Sequence, residues 1–327
     1  MCFDYSHKNQ LTIESPSYAG FTQFLFGSSF QLGKIQAGFT SLEKIEKYKM
    51  IVIGGPRESQ FSDEEIMILV HYVKHGGSLL IIHDEGGDYG ANSNLSDLTQ
   101  FFGFNFESDI LFDSLNFQNI QSRIIVNDFE PHPLTQNLDS IVLSSPCSMK
   151  INEKAQNQKE IEIYPLAFSS LNCYRTKWTG DDWNEDLDAP KSIIGLGIEF
   201  YKGKVIALPT VSMFSSLSSS YGFYAKNNQD LIANIFNWLL ESHESKQKFR
   251  DFKLISVPIK ITNFLWMEKM VEESQWKEIA SIINFAINHF KHNYNRILDE
   301  ISLKNEKNNY EQDKENIHDG FIEKKEE

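Results

Sequence analysis

Residues 48–88 read YKMIVIGGPRESQFSDEEIMILVHYVKHGGSLLIIHDEGGD, and two short apolar runs in it enclose a segment with helical periodicity. The runs 49–53 and 78–82 have the length and composition of buried strands. Between them, Ser62 and Glu65 form a capping box: the serine hydroxyl accepts the N3 amide and the glutamate returns to the serine amide. Ile66, Leu69, Val70 and Val73 then recur at spacings of three and four, and Gly76 and Gly77 stop the helix. Strand, helix and strand in that order make one βαβ unit. A polar, glycine-rich loop follows each strand: Gly54-Gly55-Pro56-Arg57-Glu58 after the first and His83-Asp84-Glu85-Gly86-Gly87-Asp88 after the second. Open α/β sheets place ligands at the carboxyl ends of their strands, so these loops are the first candidates to line a pocket.

Upstream, residues 11–13 are expected as a short first strand, and Ser15-Pro16 starts a helix with Tyr18, Phe21, Phe24 and Leu25 on one face. A second strand is expected at 34–39 and a helical turn at 42–48. Downstream, a short helix over 95–102 closes on Gly103. The pattern then changes: 123–126, 140–144 and 160–167 are expected strands without long helices between them, in a divergent β-rich segment, 117–191, that is either an insert or an added antiparallel layer. Within it, 172–191 is rich in Asp, Trp and Gly and is expected as an irregular surface loop. Runs 192–200 and 205–208 make a β-hairpin in which Gly203 supplies the positive φ. The amphipathic helix 228–240 completes a domain over 1–245. An extension, 246–303, carries a long apolar-striped helix that starts at Ser274 and runs to Ile301, and the charged tail 304–327 is expected to be disordered.

The composition narrows function. A chain of 327 residues, 41% hydrophobic, can bury a full core in one large α/β domain or two smaller ones. Its 45 acidic residues against 31 basic ones, a net charge of -14, argue against a nucleic-acid surface, which needs concentrated Lys and Arg. The three cysteines are far apart with no CxxC pair, so neither a zinc ribbon nor a disulfide framework is supported and a reducing compartment is expected. No apolar run approaches the ~20 residues of a membrane helix. No transmembrane segment and a cytoplasmic location are therefore expected. Gly195-Leu196-Gly197 lies in a hairpin strand and opens no helix, so it is no dinucleotide fingerprint, and no cofactor is expected.

Four motifs together carry a resemblance. GGPRESQFSDEE at 54–65, HGGSLLIIHDEGGD at 75–88, GKVIALPTVSMFSS at 203–216 and the closing Asn237-Trp238-Leu239 resemble the GIFT domain, shared by a ciliary intraflagellar transport subunit and the bacterial gliding protein GldG. The resemblance spans about residues 3–240 and is loosest over 117–191, although HPLTQNL at 132–138 is similar to a turn of glutamine-amidotransferase-like domains. It implies an α/β fold, flavodoxin-like or class I glutamine-amidotransferase-like, with an open, mostly parallel sheet and helices on both faces. It also implies a non-catalytic role in ligand binding or complex assembly, with carbohydrate as one proposed ligand class. The ciliary subunit continues into a long proline-rich region, whereas a single helix and a charged tail follow here, so a ciliary function is not implied.

Each candidate residue has a functional and a structural reading. The Gly54 and Gly55 amides with the Arg57 guanidinium suit an anionic or polyhydroxyl ligand; alternatively Pro56 shapes the turn and Arg57 pairs with Glu58 or Asp63. His83, Asp84 and Glu85 carry the groups of a metal or acid-base site, but neighbours at a strand end point in different directions. Polar ligand contacts or a solvated loop, with Gly86 and Gly87 shaping it, are the other readings. Ser212 and Ser215 could offer hydroxyls to a sugar or carboxylate, or sit in a ligand-free turn. A hydrolase of the amidotransferase-like class needs a nucleophile at an elbow, and Cys147 and Cys173 are not at one. The expectation is a non-catalytic module that recruits a protein partner through the helix from Ser274 to Ile301 and holds a carbohydrate or small anion at the strand mouth. The alternative is a hydrolase acting through His83, Asp84 and water.

Overall fold

The computed structural model describes residues 1–28, 30–153, 158–178, 182–186, 189–241, 261–272, 282–283 and 285–287. They fall into two units, Met1–Leu254 and Ile255–Glu327. The first unit opens with β1 (Cys2–Asp4), passes a 3-10 turn capped by Ser15 into α1 (Ala19–Gly27), and continues through β2 (Gly33–Ile35), α2 (Leu42–Ile45), β3 (Met50–Gly54), α3 (Asp63–Lys74) and β4 (Ser78–Ile82). Two short helices follow, α4 (Gly87–Ala91) and α5 (Leu95–Thr99). A run of strands comes next: β5 (Phe104–Phe106), β6 (Asp109–Asp113), β7 (Arg123–Val126), β8 (Asp128–Phe129), β9 (Ile141–Ser144), β10 (Met149–Ile151), β11 (Ile161–Phe168), β12 (Cys173–Trp178) and β13 (Trp183–Asp186). The hairpin β14 (Ile193–Phe200) and β15 (Gly203–Leu208) and the helix α6 (Asn228–Leu240) close the unit.

One ten-stranded sheet organises it, in the order β2-β1-β3-β4-β15-β14-β10-β5, with β11 also on β14 and β8 on β11. From β2 to β15 every pairing is parallel, and from β15 outward every pairing is antiparallel. The parallel centre is buried on both faces, which is why β3 and β4 are continuous apolar runs without alternation. Phe3, Val52, Leu80, Ile206 and Leu208 pack with α1 and α6 on one face, while Ile51, Ile53, Leu79, Ile81 and Val205 pack with α3 and α5 on the other. The fold is thus a mixed α/β architecture with a largely parallel central sheet between helical layers.

The capping box forms as expected, Ser62 Oγ accepting from the Glu65 amide at 3.3 Å and Glu65 Oε2 from the Ser62 amide at 3.0 Å. Other expectations are corrected. The first strand is Cys2–Asp4; residues 11–13 instead lie across the end of β3, where the Leu11 amide donates to the Gly54 carbonyl at 2.9 Å. Of residues 34–39 only Lys34 and Ile35 lie in a strand, β2. The stretch 172–191 is no irregular loop: β12 and β13 pair there and join β6 in a three-stranded sheet, with Trp178 opposite Trp183 and Tyr174 stacked on Phe112. Cross-strand aromatic pairs stabilise such a hairpin. The positive φ of the β14–β15 turn belongs to Tyr201 (+51°) and not to Gly203. Gly203 is required by crowding, since a Cβ there would stand 2.1 Å from the Val73 carbonyl oxygen.

In the second unit α7 (Ile261–Glu272) is described, with Met267 buried and Leu265 and Trp266 exposed. It was not expected. The expected helix from Ser274 to Ile301 falls almost wholly outside the described residues, and the tail 304–327 falls wholly outside them. No described helix is long and apolar enough to cross a membrane.

Candidate functional site

The carboxyl ends of β1, β3, β4 and β15 deliver four loops to one edge of the parallel sheet, and Asp84 is where three of them meet. Its Oδ2 accepts from Gln10 Nε2 at 3.0 Å, and its Oδ1 lies 3.2 Å from Thr210 Oγ1. Thr210 is fully buried; its hydroxyl also lies 2.9 Å from the Ser144 carbonyl and accepts from the Ser212 amide at 3.1 Å. Tyr18, in the wall beside them, has its phenol pushed up by burial and by the Asp84 charge. Gln10 escaped sequence reasoning because nothing in its local pattern marks it, and Thr210, which opens the hydroxyl-rich stretch 210–220, was not singled out there; only the crossing of two loops brings them to Asp84.

The glycines of the first loop answer to crowding. Gly55 has φ +73°, donates its amide to the Ile82 carbonyl at 2.9 Å, and would bring a Cβ to 2.7 Å from Val211. A Cβ on Gly54 would stand 2.6 Å from Leu11. The reading in which the Gly55 amide meets an anion therefore gives way, because that donor is already used. Pro56 is buried, Arg57 and Glu58 are exposed, and Glu58 pairs with Lys8 at 3.7 Å. Arg57 forms no ion pair with Glu58 or Asp63 among the described residues.

His83 is fully buried. Its Nδ1 accepts from the Asp84 amide at 2.9 Å, so the ring hydrogen sits on Nε2 and is donated to Asp88 Oδ1 at 3.0 Å. Asp88 in turn accepts from Ser93 Oγ and the Leu95 amide at 2.7 Å and from the Ser96 amide at 2.8 Å, so it caps the start of α5. Burial opposes its charge, but the bonds from His83, Ser96 and Ser93 hold the carboxyl well below the usual range. Both nitrogens of His83 are engaged internally and face no solvent. Glu85 is exposed, and Gly86 (φ +76°) and Gly87 (φ +55°) lie against the β5–β6 connection, with the Gly86 amide on the Asp109 carbonyl at 3.0 Å. No group of metal-ligating side chains occurs among the described residues.

The serines of the last loop hold the backbone. Ser212 Oγ accepts from the Ser144 amide at 3.0 Å, and the buried Ser215 Oγ accepts from the Leu217 amide at 3.2 Å. Cys147 is buried against the Pro209 carbonyl with its thiol pushed far up, and burial pushes Cys173 up to about 11. Neither is a thiolate near neutrality.

A second polar cluster lies beneath the β1 end. His7, 3% exposed, bonds Asp4 Oδ2 through Nδ1 at 2.8 Å and faces Glu65 Oε1 from Nε2 at 3.4 Å. Its ring stacks on Phe61 at 3.8 Å between centroids. Burial lowers the imidazole's affinity for a proton, but the Asp4 bond and the Glu65 charge outweigh it and raise the value. Glu65 thus serves the α3 cap, the Phe39 amide at 3.1 Å and His7 together. No spacing rule joins Asp4, His7 and Glu65 in sequence.

Residues 3–128 match the family model of the IFT52 GIFT domain. Among solved structures the chain is similar to the mmIFT52 N-terminal domain, at 17% identity with a TM-score of 0.59, over 78% of this chain and 100% of that one. It is also similar to a putative ThuA-like protein from Bacteroides uniformis ATCC 8492, at 15% identity with a TM-score of 0.45, over 74% of this chain and 91% of that one. No curated protein matches. The resemblance carried by 54–65 and 75–88 is thus found again by a family match spanning both motifs. The first of the two structures shares its fold along its whole length.

Proposed function

We propose that this chain is a GIFT-like module with a non-catalytic role in protein-complex assembly, on a sheet of the flavodoxin-like or glutamine-amidotransferase-like kind. One observation supports this reading above the rest: the polar groups at the strand mouth answer one another. Asp84 is held by Gln10 and Thr210, His83 is buried against Asp88, the Gly55 amide is on Ile82, and Ser212 is on Ser144. A hydrolytic site keeps its base and nucleophile open to substrate, with a proton to move. Here the same residues brace loops and fix a surface. Of the named candidates Arg57, Glu58 and Glu85 remain exposed, and Arg57 is the cation that would meet a small anion or sugar there.

Partner recruitment is assigned to the helix from Ser274 to Ile301, and the location to the cytoplasm. Affinity purification of the full chain, beside a chain ending before Ser274, tests the assembly reading. A defined partner retained by the full chain and lost from the shorter one is expected. Ester, amide or glycoside turnover that disappears in Asp84→Asn at an unchanged melting temperature would overturn it.

A further inference from the structure

At the opposite end of the sheet, where β4 and β15 begin, the chain leaves a cleft of about 500 Å³. Lys49 enters it from before β3, His75 from the end of α3, Tyr201 and Lys202 from the β14–β15 turn, Lys204 from β15, and Glu241 from after α6. Among the described residues three lysines and a histidine thus line the cleft with one acid, in a protein where 45 acidic residues outnumber 31 lysines and arginines. The local sign is opposite to the global one.

Lys204 accounts for the acid. It is 2% exposed, and its ammonium donates to the Trp238 carbonyl at 2.7 Å and the Glu241 carbonyl at 3.2 Å, with Glu241 Oε2 at 3.9 Å. It therefore neutralises the carboxyl end of α6, whose free carbonyls would otherwise repel an anion. Lys49, Lys202 and His75 are exposed in the same cleft, and none of the three forms an ion pair among the described residues. Positive charge is left over after the fold's own needs are met.

We propose that this cleft binds a phosphate-bearing small molecule with at least two negative charges, held by Lys49 and Lys202 with His75 at the edge. The donor set selects this class. Among the described residues no arginine lines the cleft, so the planar fork that favours bidentate carboxylate recognition is not found there, whereas lysine ammoniums act as point charges suited to phosphate oxygens. The Tyr201 ring, 46% exposed and carrying Lys74 over one face at 4.4 Å, adds an aromatic rim. The volume lies in the range of small-molecule sites, roughly 300–1,000 Å³. The site is independent of the strand mouth and of the assembly role proposed for it.

Isothermal titration of the full chain at low salt, with inorganic pyrophosphate and with a nucleoside diphosphate as probes, tests the proposal. Saturable one-site binding is expected, weakened by about tenfold or more in Lys49→Gln/Lys202→Gln at an unchanged unfolding midpoint, and unaffected by Lys150→Gln on β10. Equal affinity for the two probes would assign the site to the phosphates alone. A tighter nucleoside diphosphate would add an organic group on Tyr201. The proposal fails if neither probe saturates, if the double variant binds as wild type does, or if Lys150→Gln weakens binding equally, which marks diffuse charge attraction. It fails too if a glutamate-rich peptide binds through the same lysines while pyrophosphate does not. The single variant Lys202→Gln, in an exposed turn, repeats the test should the double variant unfold.

Discussion

His83, the residue most suggestive of chemistry in the sequence, is a structural post. An imidazole that donates from Nε2 to a helix-capping carboxylate couples the β4 loop to α5, so Asp88 carries more of the stability than its surface neighbours do. Replacing Asp88 by Ala leaves the His83 donor and two helix amides without acceptors in a buried place. The expected loss is about 2–4 kcal/mol in denaturant unfolding, with α5 amides losing exchange protection first. His7 allows a test by pH. Its folded value is raised above that of an ordinary imidazole, so its contribution is fully present below the unfolded value and is lost as pH rises through the folded one. The stability difference between wild type and His7→Gln should therefore be largest near pH 5–6 and shrink toward pH 8, measured by urea midpoints across that range. A difference that grows with pH would refute the assignment of the proton to the Asp4–His7–Glu65 cluster.

Elements whose formation depends on their own residues were the legible ones. The α3 helix declares its start by Ser62 and Glu65 and its buried stripe by periodicity, and both ends of the βαβ unit fell within a residue of expectation. Ser62→Ala removes the cap oxygen and should cost about 1 kcal/mol, read from the thermal midpoint. The β12–β13 hairpin was illegible for the converse reason: it is held by β6 and by pairing of aromatics more than sixty residues from Phe112, while its Asp and Gly content spells a loop. The Gly203 misreading has the same origin. A glycine in a turn invites a conformational explanation, yet here the constraint comes from α3, whose Val73 carbonyl stands in the way of any side chain. A backbone oxygen cannot step aside as a flexible side chain can, so Gly203→Ala should force β15 from α3 and cost about 2–4 kcal/mol, whereas Gly27→Ala, with open space around it, should not destabilise.

At the scale of the whole molecule, what could be read was the order of elements and what could not was the change of direction at β15. The apolar runs at 50–54, 78–82 and 203–208 announce strands buried on both faces, but a strand's sequence does not state whether its neighbour runs with it or against it. The hairpin turn at Tyr201 reverses the sheet there, and everything beyond is antiparallel. The candidate site follows the same division. Its loop positions were legible from the βαβ unit, while the hub around Asp84 needed Gln10 and Thr210 from loops 74 and 126 residues away in sequence. This architecture predicts a gradient of local stability. Strands β3, β4 and β15 have helices over both faces and partners on both sides, so opening them requires disrupting both core layers at once. Among the described residues strand β2 has a partner on one side only, and its own residues are half-buried or exposed. Native-state hydrogen exchange should therefore find peptides from the three central strands exchanging only through global unfolding, with the denaturant dependence of the whole domain. Peptides covering 33–35 should exchange through local opening with little such dependence. Equal protection across β2 and β4 would mean that the edge is covered in solution, and the simplest cover for a parallel edge is another chain adding a strand to it.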